Sequence, residues 1–276
     1  MKTILVPTED HDAMSAVLQA AYLMAQRFDS YLEGFAIRPM AGTYVTLEPV
    51  SSLALTGAFD SEAASHAREV FESFMRGREV PPGVQEPATL SFGWPMAEAA
   101  DDAFLGSYGR IFDLIVLGRP GRAPQNPRMA PLEAALFESG RPVLIAPPQA
   151  PQTIGRNILV AWNGSTEQAY TNVFAMPLLR LAEKVTVLAV EGGMTPGPTA
   201  EQAAQHLRRN GIQASALTVK PESRTTGETI LDHCSQLGCD LLIKGAYTQS
   251  RLRQMIFGGT TRHILASATV PVFMAH

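Results

Sequence analysis

The chain has 276 residues, a length that allows one large domain or two small ones. Hydrophobic residues make up 46% of it and charged residues 17%, which supports a packed core and argues against disorder. The formal net charge of -4, with no long basic run, argues against a nucleic-acid binder and gives no attraction to an anionic membrane surface.

Strand and helix patterns alternate along the first half of the chain. Short apolar runs predict the strands, and longer segments with helical periodicity predict the helices between them. The predicted strands lie near Ile4–Val6, Tyr31–Ile37, Ala88–Phe92, Leu114–Leu117 and Val143–Ala146. The predicted helices lie near Asp12–Arg27, Ser61–Arg76, Pro95–Gly109 and Leu132–Ser139.

The second half follows the same order. Its predicted strands are Ile158–Ala161, Val185–Val190, Ala214–Val219, Leu241–Lys244 and Val270–Met274. Its predicted helices run from a cap at Ser165 to about Ala182, and over Ala200–Asn210, Thr226–Leu237 and Thr260–Ser267. Gly211 and Gly238 follow two of these helices and are typical of helix C-terminal caps.

Three segments of the first half recur in the second half, in the same order. They are the starts of the first strands, the fourth strands with their following glycine, and the last strands after a proline. Their spacing gives the first copy about 27 more residues, which we place as a loop-rich insert near 40–67. A proline-rich linker at 147–153 separates the copies.

Continuous apolar strands separated by helices are typical of parallel sheets covered on both faces. We therefore predict an α/β protein of two similar doubly wound domains, residues 1–148 and 155–276, each with a five-stranded parallel sheet. The ligand crevice of such a domain lies at the carboxyl ends of the strands.

The segment after the fourth strand of copy two carries the clearest chemistry. Gly245 ends the strand, and Gly258, Gly259, Thr260 and Thr261 open the next helix. Small residues at a helix N-terminus let backbone N–H groups approach a phosphate or carboxylate. The alternative is a glycine-rich connector whose threonines only cap the helix. Lys244 either points into this crevice or extends along apolar surface.

The repeat, the strand starts and this loop resemble the universal stress protein family in its tandem two-domain form. The resemblance implies the adenine-nucleotide alpha-hydrolase-like fold. In the nucleotide-binding branch, a loop of Gly, two residues, Gly, nine residues, Gly and Ser or Thr holds the ribose and phosphates of ATP. An Asp after the first strand helps to hold the adenosine.

Both copies depart from that pattern. In copy two the matching positions are Gly245, Thr248, Gly258 and Gly259, and the Asp position is Asn163. In copy one they are Gly118, Gly121, Pro131 and Leu132, with Glu9 at the acidic position. Pro131 has no N–H to donate to a phosphate. The resemblance therefore implies degenerate nucleotide-binding loops. It leaves ATP with magnesium as a possible ligand of copy two and argues against ATP in copy one.

These observations predict a non-enzymatic, cytoplasmic stress-response protein that binds a small ligand or a partner. The alternative is an ATP-binding switch or slow ATPase that uses the second domain. A third hypothesis is an apolar-ligand pocket lined by the insert residues Leu47, Val50, Leu53, Leu55 and Phe59. By resemblance the last strands of the two copies pair, which makes the chain an intrachain pseudo-dimer and leaves a further homodimer open.

The two cysteines, Cys234 and Cys239, exclude a disulfide scaffold and a four-cysteine zinc site. No apolar stretch approaches the roughly 20 residues that span a bilayer. Neither nucleic acid nor a membrane is expected as a partner, and the sequence predicts no catalytic residue and no metal ligand.

Overall fold

The computed structural model describes residues 1–38, 52–246 and 258–276, with side chains for all of these except 52–60. The chain forms two compact units, Met1–Arg141 and Pro142–His276. Among the described helices, none combines the length and the hydropathy that a membrane span requires.

The first unit is a parallel sheet with helices. Its strands are β1 (Thr3–Thr8), β2 (Tyr31–Ala36), β3 (Ser91–Gly93) and β4 (Leu114–Gly118), in the order β3-β2-β1-β4. All three strand pairs are parallel. Its helices are α1 (Met14–Phe28), α2 (Ser52–Gly77), α3 (Asp102–Tyr108) and α4 (Met129–Glu138).

The second unit has six strands. They are β5 (Val143–Ala146), β6 (Asn157–Ala161), β7 (Lys184–Val190), β8 (Ala214–Val219), β9 (Leu241–Gly245) and β10 (Val272–Ala275), in the order β5-β10-β9-β6-β7-β8. The five strands from β10 to β8 are parallel, and β5 runs antiparallel to β10. The helices are α5 (Thr166–Leu181), α6 (Ala200–Arg209), α7 (Thr226–Gln236) and α8 (Gly259–Ser267).

The predicted α/β class with a mostly parallel sheet is confirmed. Five parallel strands are present in the second copy, whereas the first unit contains four. The fifth strand of the first copy, β5, belongs to the second compact unit, where it pairs with β10, with Ile145 opposite Val272. The predicted boundaries, 1–148 and 155–276, assign this strand to the first copy and stay a prediction.

Continuous apolar sequence explains why the central strands form and stay buried. Every residue of β4, β5, β9 and β10 is buried, and Phe273 in β10 is fully inaccessible to solvent. Strands buried on both faces need no alternation of polar residues. The carboxyl ends of the parallel strands β6, β7 and β9 consequently meet at one edge of the sheet.

Helix ends in the second unit follow the residues that the sequence singled out. The Ser165 hydroxyl accepts a hydrogen bond from the backbone N–H of Gln168 at 3.2 Å and caps α5. Gly211 and Gly238 adopt positive φ angles of 80° and 62°, the left-handed conformation that glycine takes without a Cβ penalty. Helix α8 differs, because its N-cap residue is Gly258, which provides no side-chain cap.

The first copy shows the largest departures from prediction. The backbone from residue 52 to 77 is one helix, α2, so the second half of the predicted loop-rich insert is helical. The third helix starts at Asp102 rather than near Pro95, because the Asp101 side chain accepts a hydrogen bond from the Phe104 N–H at 2.8 Å and sets the N-terminus there. The side chains of the proposed apolar pocket, Leu47 to Phe59, lie outside the described residues.

Candidate functional site

A cavity of about 350 Å³ opens in the second unit where β6, β7 and β9 end. Its apolar lining comes from Ala161, Trp162, Leu188, Val190 and Ile230. Its polar lining comes from Asn163, Thr226, Lys244, Thr260 and Thr261, with Gly193, Gly258 and Gly259 between them. The crevice therefore lies where the doubly wound fold predicts it, and five predicted site residues share it: Asn163, Gly258, Gly259, Thr260 and Thr261.

The N-terminus of α8 faces this cavity without a capping side chain. The first backbone hydrogen bond of the helix runs from Arg262 N–H to Gly258 O at 3.0 Å, so the N–H groups before Arg262 are not used within the helix. Among the described residues, no atom lies within 4 Å of a Cβ built on Gly258 or Gly259. The packing of the described residues therefore does not require glycine at these two positions.

Asn163 lines the cavity. Its side-chain Oδ1 accepts a hydrogen bond from Ser165 N–H at 3.2 Å, and its backbone oxygen accepts from Thr195 N–H at 2.8 Å. The first bond orients the amide, so Nδ2 is the end that remains to donate. Asparagine at the predicted acidic position thus exchanges a carboxylate acceptor for an N–H donor.

Gly245 serves packing rather than the cavity. Its backbone N–H donates to Gln168 Oε1 at 2.6 Å, and a Cβ at this position would lie 2.6 Å from the backbone nitrogen of Gln168. Only glycine allows the end of β9 to approach the start of α5 this closely. Gly245 is not among the described lining residues, although the sequence predicts it as part of the nucleotide loop. Thr248, another predicted loop residue, lies outside the described residues.

Lys244, which the sequence places either in this crevice or along apolar surface, lines the cavity and is only 9% exposed. Its Nζ donates to Gly245 O at 2.8 Å and to Thr261 Oγ1 at 3.0 Å. Burial lowers the pKa of Lys244 to about 8. A charged residue within the apolar run of β9 is the signal that could have identified it, since Leu117 occupies the matching position in β4.

The predicted acidic residue of copy one is held by an ion triad. Arg128, which precedes α4, donates from Nε to Glu9 and from Nη1 and Nη2 to the two oxygens of Asp102, both at 2.9 Å. All three side chains are mostly buried. Burial raises the pKa of Glu9, against the opposing effect of Arg128. One carboxylate oxygen of Glu9, Oε1, is therefore paired with a cation of the protein itself.

The predicted glycines of copy one are also packed against protein. A Cβ on Gly118 would lie 2.5 Å from the Pro127 side chain, and one on Gly121 would lie 2.2 Å from that of Asn126. The Gly121 N–H donates to Pro127 O at 3.1 Å. Segment 118–127 thus folds back on itself, and side chains of the same segment occupy the space beside both glycines.

The sequence of the chain is similar to those of universal stress proteins. The universal stress protein family model matches residues 155–276. The chain is 28% identical to universal stress protein Slr1230 of Synechocystis sp. over 168 residues, which cover 58% of this chain and 57% of that relative. The match thus spans little more than half the length of the curated relative.

Two solved structures share the fold. A universal stress protein from Archaeoglobus fulgidus DSM 4304 superposes with a TM-score of 0.71 at 15% identity, over 99% of this chain and 97% of that one. A functionally unknown protein from Pseudomonas aeruginosa PAO1 gives a TM-score of 0.54 at 15% identity, over 100% and 92%. Identities this low show the fold alone. The family match extends through the strands and the α8 loop that form the cavity, and residues 155–276 are a universal stress protein family domain.

Proposed function

We propose that the chain is a stress-response protein that binds one small phosphorylated ligand, of the adenine-nucleotide class, in the cavity of its second unit. The observation that carries this proposal is the convergence of Asn163, Lys244 and the α8 N-terminus on one cavity of about 350 Å³. That volume lies within the range of small-molecule sites, which combine an apolar wall with a few polar groups. Trp162, Leu188 and Val190 supply the apolar wall for a base, and the opposite end receives the phosphates.

The two copies are not equivalent in this proposal. In copy two the residues at the crevice present donors to open space, whereas in copy one Glu9 is paired with Arg128 and the glycines pack against Pro127 and Asn126. A ligand would have to break the ion triad to enter copy one, and exposing buried, paired charges without partners is costly. We therefore expect one ligand per chain.

Binding without turnover fits the chemistry better than the alternative of a slow ATPase. Activation of water for attack on a phosphate needs a group that accepts a proton or orients the water. The described lining of the cavity offers no carboxylate and no imidazole for that role. An ATP-binding switch that does not hydrolyse remains compatible with the same site.

Isothermal titration of the full chain with ATP, AMP and pyrophosphate tests the proposal. We expect saturable binding of ATP at one site per chain, and no release of phosphate above the rate without protein. Gly258→Val places a branched side chain at the entrance of α8 and should abolish binding, while Gly77→Val, at an equally open glycine in the first unit, should not. Absence of saturable binding for all three probes, or two sites per chain, would overturn the proposal.

We also infer that the chain behaves as an intrachain pseudo-dimer of diverged copies. Antiparallel pairing of β5 with β10, the last strands of the two predicted copies, supports this inference. Because that pairing covers an edge on each strand, a second chain is not needed to protect it. Light scattering after size-exclusion chromatography should therefore report one chain rather than a homodimer.

A further inference from the structure

The described lining of the cavity in the second unit carries positive charge and no negative charge. In its described lining the single charged side chain is Lys244, and the remaining polar side chains are amide and hydroxyl groups. Segment 247–257 has two arginines and no Asp or Glu in its sequence. Neither the described lining nor that segment supplies a carboxylate to neutralise the buried ammonium.

The polar groups of the cavity are arranged as donors. An ammonium has three N–H donors, and the protein partners of Lys244 account for two of them, Gly245 O and Thr261 Oγ1. Because the Thr261 oxygen accepts from Lys244, its own O–H is directed to another acceptor. Asn163 adds its Nδ2 group and α8 adds its first N–H groups. A ligand that satisfies this set must be rich in acceptors and negatively charged.

A magnesium ion does not fit the same set. Mg²⁺ is held in proteins by oxygen ligands, usually one or two carboxylates together with water and substrate phosphates. The described cavity lining offers no carboxylate, and the described part of the chain contains no cluster of His, Cys, Asp and Glu that could hold a metal. The ammonium of Lys244 would also repel a dication at this place.

We propose that Lys244 binds a phosphate oxyanion of the ligand directly and takes the place of the divalent cation that family resemblance implies for ATP. This inference rests on the proposed function and specifies the ligand as a metal-free phosphate compound, either a nucleotide or a free polyphosphate. A buried, unpaired charge is costly to keep, and a bound phosphate supplies the missing counter-charge. Since burial leaves the Lys244 pKa at about 8, the ammonium is charged at neutral pH.

Calorimetric titration of the full chain in EDTA and in excess magnesium chloride tests metal independence. The probes are ATP, pyrophosphate and adenosine. We expect ATP to bind in EDTA at least as tightly as in magnesium, and adenosine to bind weakly because it lacks the phosphate. Comparable binding of pyrophosphate would identify free polyphosphate as a sufficient ligand, while ATP binding alone would show that the base is also needed.

Lys244→Met tests the residue itself. Loss of a charge-assisted hydrogen bond should weaken ATP binding by about 10- to 100-fold at neutral pH. Lys220→Met, which removes an exposed lysine outside the described cavity lining, is the matched control and should bind like the wild type. If the wild type binds ATP only with magnesium, or if Lys244→Met binds equally well, this inference is wrong while the proposed function stands. If the wild type binds no probe under either condition, both are wrong.

Discussion

Replacing Lys244 by methionine should stabilise the protein while it weakens ligand binding. Folding moves the ammonium from water, where its pKa is 10.5, to a site where burial lowers the pKa to about 8. That difference corresponds to about 3 kcal/mol of unfavourable free energy at neutral pH. Methionine avoids it but loses the hydrogen bonds to Gly245 and Thr261, together about 1–2 kcal/mol. We expect Lys244→Met to raise the free energy of unfolding by about 1–2 kcal/mol at pH 7.

The pH dependence separates this explanation from a packing effect. Between pH 8 and 10.5 the unfolded chain keeps the Lys244 proton and the folded chain releases it, so wild-type stability rises with pH across that window. The Lys244→Met variant lacks this rise, and its advantage over the wild type should be lost by the upper end of the window. Lys220→Met should keep the wild-type pH dependence, because that residue is exposed.

Denaturant unfolding at pH 7 and pH 10, without ligand, is the appropriate measurement. The chain has two tryptophans, Trp94 in the first unit and Trp162 in the second, so a Trp94→Phe background makes fluorescence report the second unit. A Lys244→Met variant less stable than the wild type at pH 7 would refute the reasoning. So would an unchanged rise of stability with pH.

Three further predictions concern packing and charge, each measured by denaturant unfolding. Arg128→Met leaves Glu9 and Asp102 as neighbouring, mostly buried carboxylates, and should lower the free energy of unfolding by about 3 kcal/mol at pH 7. Part of this loss should be recovered at lower pH, as Glu9 takes up a proton. An unchanged denaturation midpoint would show that the triad is not stabilising. Gly245→Ala places a methyl group 2.6 Å from a backbone nitrogen of α5 and should cost more than about 2 kcal/mol, so a neutral result would contradict the close approach. Ser165→Ala removes the cap of α5 and should cost about 1 kcal/mol, whereas threonine at this position should restore most of it.

Local signals predicted the second copy well, because its helices begin and end at residues whose chemistry is specific. Ser165 caps α5 as predicted, and Gly211 lies at a positive φ where only glycine is unstrained. The first copy was predicted less well. Its α2 covers Ser52–Gly77, whereas the sequence pattern predicted a helix over Ser61–Arg76 only.

Side-chain pairing explains what the sequence could not predict at the two crevices. The spacing aligned Glu9 with the acidic position of the family. The side chain that pairs with Glu9, Arg128, is 119 residues away in sequence and belongs to no motif. Gly245 matched the nucleotide loop, yet its close approach to Gln168 depends on how β9 packs on α5. The sequence placed Lys244 either in the crevice or along apolar surface, whereas its hydrogen bond to Thr261 depends on the fold.

The ion triad of Glu9, Asp102 and Arg128 has a consequence for the dose response if the chain binds one ligand as proposed. Two open, coupled crevices would allow homotropic cooperativity, in which the first molecule bound alters the affinity for the next. With a single binding crevice, the occupancy of the chain would follow a hyperbola. It would rise gradually over about two orders of magnitude in ligand concentration rather than switch at a threshold.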